Sequence, residues 1–385
     1  MKELRSKSNK KFMVLSAIGI FMVVDHHTWI TFNLFGDFIP YNSFFMPMFV
    51  FISGYFNKVD SSTNLIKYTG KKVKTLLVPY IGVSFLAFVL QFFINWFKLG
   101  HIEPVPSGYL LYLLERIVTI GSSISIAEPM WFVISLFAVL MVYAICKKLL
   151  GKIWNSYVAL AVFVALHILS VYLAKNVLPV TTPYILLPLK IMFFLPFLEM
   201  GIIYRDKLEG KHSSMSGGLK IGLMALLLLI NAVRTTYLPY AYDVAFDALG
   251  EMEGFTSPFI VTPLISSIVG ILFWLTVVEL IAKPLGESKF VNYMSCNTFW
   301  IMGLHVAFFN IVNCVLMFIS RFIVWVPYFD IEAFQESEWY MWEISPTIKL
   351  IYLLAGVFGP LLLKLIYDKI CILLGKAFRK KRKNK

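Results

Sequence analysis

FMVLSAIGIFMVVDHHTW, residues 12–29, stays apolar for thirteen positions with Ser16 as its one hydroxyl, and then presents Asp25, His26 and His27 in a row. A helix needs about 20 predominantly apolar residues to cross a bilayer, and this one follows a basic stretch with five Lys and Arg within residues 1–11. A secretory leader opens in the same way, but a small-residue cleavage site follows it. Here the continuation is Asp25, His26 and His27, which predicts a retained first transmembrane helix over 12–32. Three titratable groups at that depth are expensive in hydrocarbon, so they are expected to face a cavity or one another. Neighbouring helical side chains point about 100° apart, so at most one of the two histidines aims at a given site. Ser16 and His27 return to nearly the same face after about 1100° of rotation, with a rise of about 16 Å.

The rest of the chain shares the character of that first stretch. Of 385 residues, 59% are apolar and 15% charged, with 35 Phe and a mean hydropathy of +0.76, whereas a typical globular domain is about 25% charged. Such a composition cannot cover a water-facing globule of this size, and it excludes a soluble enzyme. Apolar runs between polar breaks mark ten spans, at 12–32, 43–56, 75–97, 129–146, 156–174, 184–204, 219–238, 258–282, 296–319 and 348–374. The fold class is all-α, a polytopic membrane protein of about ten transmembrane helices. It reads as one integral membrane domain over 1–385, with basic tails at 1–11 and 375–385 flanking a ten-helix core at 12–374. The longest outer loops, near 98–128, 239–257 and 320–347, are too short to fold alone.

Charge sets the orientation. With the N-terminus inside, 26 of the 35 Lys and Arg fall in the inner segments 1–11, 57–74, 147–154, 205–220, 283–290 and 375–385, against six in the outer segments. The positive-inside rule then puts both termini in the cytoplasm. Asp243, Asp247, Glu251, Glu253, Asp330, Glu332, Glu336, Glu338 and Glu343 all sort to the last two outer loops, which supports an even number of spans independently of hydropathy. The net charge of +13 is accounted for by orientation and by attraction to anionic lipid, and no nucleic-acid partner is expected. Cys146, Cys296, Cys314 and Cys371 stand singly, without the spacing of a disulfide framework or a Cys metal site.

Further titratable residues lie inside the spans: His167, Lys190, Glu199, Glu279 and His305. His305 is placed near mid-membrane, where it can meet His27 across a bundle. His167, alone among aliphatic residues, reads as structural. Lys190 and Glu199 share a face but lie more than two turns apart, and Glu279 is expected to reach the interface with Lys283. A neutral imidazole in a partly dry site is the usual base for taking a proton from an attacking hydroxyl, and Asp25 stands close in sequence to hold its tautomer. Hydrogen bonding between helices is the other use of the same groups. Adjacent histidines lack the i, i+4 spacing of a helical metal pair, so no metal is expected.

The second span is expected to be broken by Pro47 and to offer Ser53 and Gly54 for close backbone approach or for a cavity wall. It leads to an inner loop in which Lys71, Lys72 and Lys74 carry either the orientation signal alone or a site for phosphates arriving from the cytoplasm.

Five stretches in register, between about residues 12 and 370, resemble the acyltransferase-3 family of integral membrane acyltransferases, which modify cell-surface glycans in bacteria. LSAIGIFMVVDHH (15–27) is similar to the family's first helix, in which a basic residue precedes the catalytic His with ten residues between; that His falls on His27 and the basic position on Ser16. FFMPMFVFISGYF (44–56) resembles the second helix and KKVKTLLVPY (71–80) the basic run before the third. EPMWFVISLF (128–137) and NTFWIMGLHVAF (297–308) resemble two later signatures. Ser16 is a departure, because the basic group thought to engage the donor's phosphates is missing from its usual place; Asp25 before two histidines is another.

The resemblance implies an O-acyltransferase, with O-acetyl transfer the leading expectation, multi-pass in a bacterial plasma membrane. The co-substrate would be acyl-CoA, acetyl-CoA first among them, and the partners membrane lipids and a glycan or lipid-linked sugar acceptor. His27 would be the base, assisted by Asp25 and His26. Ser53, Gly54, Trp131 and His305 would shape the substrate pockets, and Lys71, Lys72 or Lys74 would replace the basic group missing at Ser16. A transporter or flippase of glycan precursors is the alternative from another class, and a catalytically decayed relative the third. With both termini inside and ten spans, Asp243→Cys and Glu338→Cys in a cysteine-free background should react with an impermeant maleimide on intact cells, and Lys211→Cys should not. Protection of either acidic-loop position would contradict the ten-span count.

Overall fold

The computed structural model describes residues 2–28, 39, 41–97, 109–119, 121, 125–176, 183–237, 260–322, 329, 331–336 and 348–383, and every regular element among them is helical. Helix α1 runs Lys2–His26, and a 3-10 turn at Tyr41–Ser43 leads into α2 (Phe45–Phe56). Helix α3 (Leu65–Lys72) continues through a π-helical turn, Val73–Leu77, into α4 (Val78–Trp96). After α5 (Tyr109–Thr119) come a 3-10 stretch at Ser125–Met130, α6 (Trp131–Leu149) and α7 (Ser156–Asn176). Helix α8 (Leu186–Ile203) passes through a second π-helical turn, Tyr204–Leu208, into α9 (Glu209–Ser214), and α10 (Gly217–Tyr237) follows. The described chain ends with α11 (Thr262–Leu285), α12 (Lys289–Cys296), α13 (Thr298–Phe322), α14 (Ile331–Glu336) and α15 (Lys349–Lys383).

Eight helical stretches, 65–94, 126–149, 156–174, 186–214, 217–237, 262–285, 298–322 and 349–373, are long and apolar enough to cross a membrane, and α2 is a shorter apolar helix. The chain is an all-α polytopic membrane protein. Among the described residues, each of the ten apolar runs in the sequence overlaps a helix, α1 and α2 being the two outside those eight. Two expectations need correction. Pro47 does not break α2, because it stands third in that helix, where a missing N–H has no intrahelical partner to lose. Lys71, Lys72 and Lys74 are not in a loop; they lie on α3 and the π-helical turn, after an N-cap in which Asn64 accepts from the Lys67 amide at 3.0 Å. Of the two acidic loops, 239–257 lies outside the described residues, as does most of 320–347.

Helix α1 is the central helix, touching α2, α11, α12, α13 and α15. Helix α8 packs between α2 and α7 and also meets α6. Lipid tails are as apolar as leucine, so contact between membrane helices depends on close van der Waals fit and on small residues that let backbones approach. The α2–α8 crossing shows this at two glycines: a Cβ on Gly54 would sit 2.0 Å from the Leu198 carbonyl oxygen, and one on Gly201 would sit 2.1 Å from that of Phe51. Any side chain at either position would force the two helices apart.

Two polar locks hold α1. Part-way along it the buried Lys11 ammonium donates to Glu279 at 2.7 Å, to Glu209 at 2.9 Å and to the Tyr204 hydroxyl at 3.3 Å. Ser213 donates to Glu279 at 2.8 Å, Lys220 lies 3.7 Å from it, and Tyr55 donates to Glu209 at 2.8 Å. The cluster extends through His212. The Thr276 hydroxyl donates to the Leu272 carbonyl, so it accepts from His212 Nε2 at 3.2 Å and leaves Nδ1, 3.0 Å from Tyr204, to accept. Glu279 therefore does not run to the interface with Lys283: two cations and a hydroxyl within the bundle satisfy it.

At the C-terminal end of α1, Asp25 pairs with Lys349 of α15 at 2.7 Å, with both side chains almost buried. Breaking a buried pair from one side strands the other charge and costs about 3–5 kcal/mol, whereas replacing both partners with apolar groups is often near neutral. Asp25→Leu should therefore lower the thermal midpoint of the detergent-solubilised protein clearly, and adding Lys349→Met should restore most of the loss. Fluorescence-detected size exclusion after heating measures both, and equal midpoints for the single variant and the parent would show that the pair does not hold α1.

Candidate active site

The residue that follows α1 and the first half of α13 bring two imidazoles together. The His27 and His305 rings lie 4.9 Å apart between centroids and are tilted by 57°. His27 Nδ1 is 2.7 Å from the Val23 carbonyl, four residues back on α1. A carbonyl only accepts, so Nδ1 carries the hydrogen and, in the neutral ring, Nε2 carries the lone pair that a base needs. His26 points elsewhere, as the helical repeat requires. Its ring is 5.5 Å from that of Phe45 and 5.5 Å from that of His27, and its side chain is exposed.

Asp25 has a different place from the one its sequence position suggests. Two residues before His27, it projects about 200° away around the helix, and its carboxylate meets Lys349. The Val23 carbonyl holds the His27 tautomer, and Asp25 holds the helix. Helix α15 passes close because Gly356 faces Val24 and Phe309: a Cβ there would lie 2.8 Å from Val24 and 2.6 Å from Phe309. One turn from Lys349, the Tyr352 hydroxyl donates to Asn313, while the Phe309 ring meets both Tyr352 and His305. His305, Phe309 and Asn313 recur every four residues and so form one face of α13.

The other residues singled out in the sequence lie around this centre at varying remove. Ser16 is half-buried on α1. Ser53 is half-buried on α2, and Gly54 is occupied by the crossing with α8. Trp131 opens α6, with its ring stacked on Phe194 at 6.3 Å and the buried Lys190 ammonium 4.3 Å from its centroid. Met130, just before it, packs against Gly303, two residues from His305. Lys71 and Lys74 are exposed, and Lys72 is half-buried over the Tyr68 ring at 5.4 Å. Lys190 and Glu199 have separate partners, because Glu199 accepts from Tyr143 at 2.6 Å. His167 donates from Nδ1 to the Phe193 carbonyl at 2.8 Å and packs on Phe193 and Phe197. Among the described residues, no three His, Cys, Asp or Glu side chains converge as a metal ion would require.

Reading by sequence passes over Lys11, Lys349 and Asn313. Lys11 reads as part of the basic tail and Lys349 as part of an outer loop; the signal for Asn313 is its spacing of two helical repeats from His305.

Residues 12–329 match a family model described as an acyltransferase domain, the acyltransferase-3 family. No curated protein and no solved structure gives a significant match. The matched region includes α1 from Phe12 onward, His27, and α13 with His305, while α15 lies beyond it. With most of its length inside that match, the chain belongs to the acyltransferase-3 family of membrane acyltransferases.

Proposed function

We propose that this acyltransferase moves an acyl group, acetyl in the first instance, from acyl-CoA to a sugar hydroxyl of a cell-surface glycan or its lipid-linked precursor, in a bacterial plasma membrane. The observation that carries the reading is the His27 ring, fixed by the Val23 carbonyl at 2.7 Å so that its Nε2 is the basic nitrogen, in a partly buried site against His305. A hydroxyl is a poor nucleophile until its proton is removed as it attacks, and a positioned imidazole does this at neutral pH. Hydrocarbon and packed side chains exclude water that would compete for the acyl group. His26, with its ring turned toward Phe45, lines the approach to the base.

A CoA donor brings phosphates, and Ser16 offers them no charge. Lys71 and Lys74, exposed at the junction of α3 with the π-helical turn before α4, and the half-buried Lys72 between them supply ammonium groups on the side of the bundle read as cytoplasmic. Bonds between ammonium groups and phosphate are charge-assisted, which suits them to hold a donor that arrives from that side.

His27→Ala should abolish glycan acylation, a loss of about 10²- to 10⁴-fold if general-base catalysis is all that is removed, while His26→Ala should be milder. Mass spectrometry of surface glycans from a deletion strain complemented with each variant measures this. An essential His26 with a dispensable His27 would contradict the assignment. Replacing Lys71, Lys72 and Lys74 together by Gln should raise the dissociation constant for acetyl-CoA by about ten- to a hundred-fold, the value of one lost contact of roughly 1.5–3 kcal/mol. Acceptor use should change far less. Unchanged donor affinity, with orientation verified, would exclude these lysines as the phosphate site.

A further inference from the structure

His27 and His305 are held in the same manner. Each donates from Nδ1 to the carbonyl four residues back on its own helix, His27 to Val23 at 2.7 Å and His305 to Ile301 at 2.9 Å. In the neutral rings both Nε2 atoms therefore carry lone pairs. His305 is wholly buried, and its Nε2 has no hydrogen-bond partner among the described residues. Buried acceptors in native proteins are nearly always satisfied, so an exception calls for a cause. An orphaned nitrogen alone does not make a site. His167 has one too, but its ring neighbours are Phe193 and Phe197. What sets His305 apart is a second imidazole beside it, with the ring centroids 4.9 Å apart. Neither neutral Nε2 can donate to the other, but a proton taken up by one ring can pass to the ring beside it.

We propose that His305 is a second catalytic residue, which receives from His27 the proton of the acceptor hydroxyl and delivers it to the leaving group. The step rests on the acyl-transfer reading above, with an acyl thioester as donor. The hydroxyl O–H bond breaks as its oxygen bonds to the acyl carbon, and the proton goes to His27 Nε2. The C–S bond then breaks with the electron pair on sulfur, and the proton passes through His305 Nε2 to the thiolate. The products are an ester and a thiol, and both rings end neutral.

Two donors separate this role from packing in the purified full-length protein in lipid nanodiscs. Acetyl-CoA leaves as an alkyl thiolate that gains from protonation, whereas S-(4-nitrophenyl) thioacetate leaves as an aryl thiolate that does not need it. The acceptors are the methyl glycosides of glucose, galactose and N-acetylglucosamine, with water as the fallback. His305→Asn keeps an amide N–H where Nδ1 meets the Ile301 carbonyl and removes Nε2; His305→Gln is the second variant, should the first not fold. With acetyl-CoA, kcat should fall about 100-fold or more, as for the loss of a general acid, with KM moving by less than about three-fold. With the aryl thioester the loss in kcat should be under about ten-fold, within the lower reach of such effects. The same substitution at the packing histidine, His167→Asn, should not create any difference between the donors.

Equal losses with both donors, a change confined to KM, or unchanged rates would overturn the role of His305 and leave the acyl-transfer reading standing. Failure of both His305 variants to fold would mark the residue as packing and overturn the role as well. If the wild-type protein transferred acetyl from neither donor to any glycoside or to water, the acyl-transfer reading itself would fall, and this step with it.

Discussion

A buried charge has to bring its counter-charge with it, and α1 obeys that constraint at two places. Lys11 is enclosed by Glu279 and Glu209, and Asp25 by Lys349. Neither pair is local in sequence; each ties α1 to helices that the chain reaches much later. Because a half-broken buried pair is worse than an apolar replacement, these locks select one register of α1 against its neighbours more sharply than aliphatic packing could. His27 stands two residues beyond Asp25, so the lock on the helix also sets the height and direction of the ring.

The same constraint shapes the surroundings of the site. Helix α15 supplies Lys349 to α1 and Tyr352 to Asn313 of α13, and so braces the two helices that carry the imidazoles. Gly356 lets it come close enough to do both. At the α2–α8 crossing, the contact of Gly54 and Gly201 brings the two backbones together without any polar partner. Small residues and paired charges are the two available ways of packing helices that gain nothing from leaving lipid for protein.

Backbone carbonyls, not acids, orient the rings. A carboxylate against His27 would stabilise the charged ring and hold its proton; a carbonyl fixes the tautomer with only a dipole and leaves the proton easier to pass on. Asp25 is thereby free to serve the helix. The Lys190 ammonium on the face of Trp131 is a further cation held within the bundle, an arrangement in which the ring quadrupole supplies part of the compensation.

The membrane class and the apolar runs were legible in the sequence, because hydropathy and charge bias are properties of single segments; that His27 and His305 could meet was an expectation from their depth, and the packing of α1 against α13 brings the rings together. The divergence of His26 from His27 was legible too, since it follows from about 100° per residue. The roles of the acids were not. Asp25 next to two histidines reads as their partner, and Glu279 four residues from Lys283 reads as an interfacial group. Only the packing of α15 against α1, and of α1 and α10 against α11, shows that both carboxylates answer cations from elsewhere. Pro47 and the lysines of α3 mislead for a related reason: whether a proline breaks a helix, or a basic run is loop, depends on where the helix starts, and capping at Asn64 and the turn before Phe45 decide that. A sequence determines which groups cannot face lipid; which partner each one finds is a matter of three-dimensional distance, and that is set when helices far apart in the chain pack side by side.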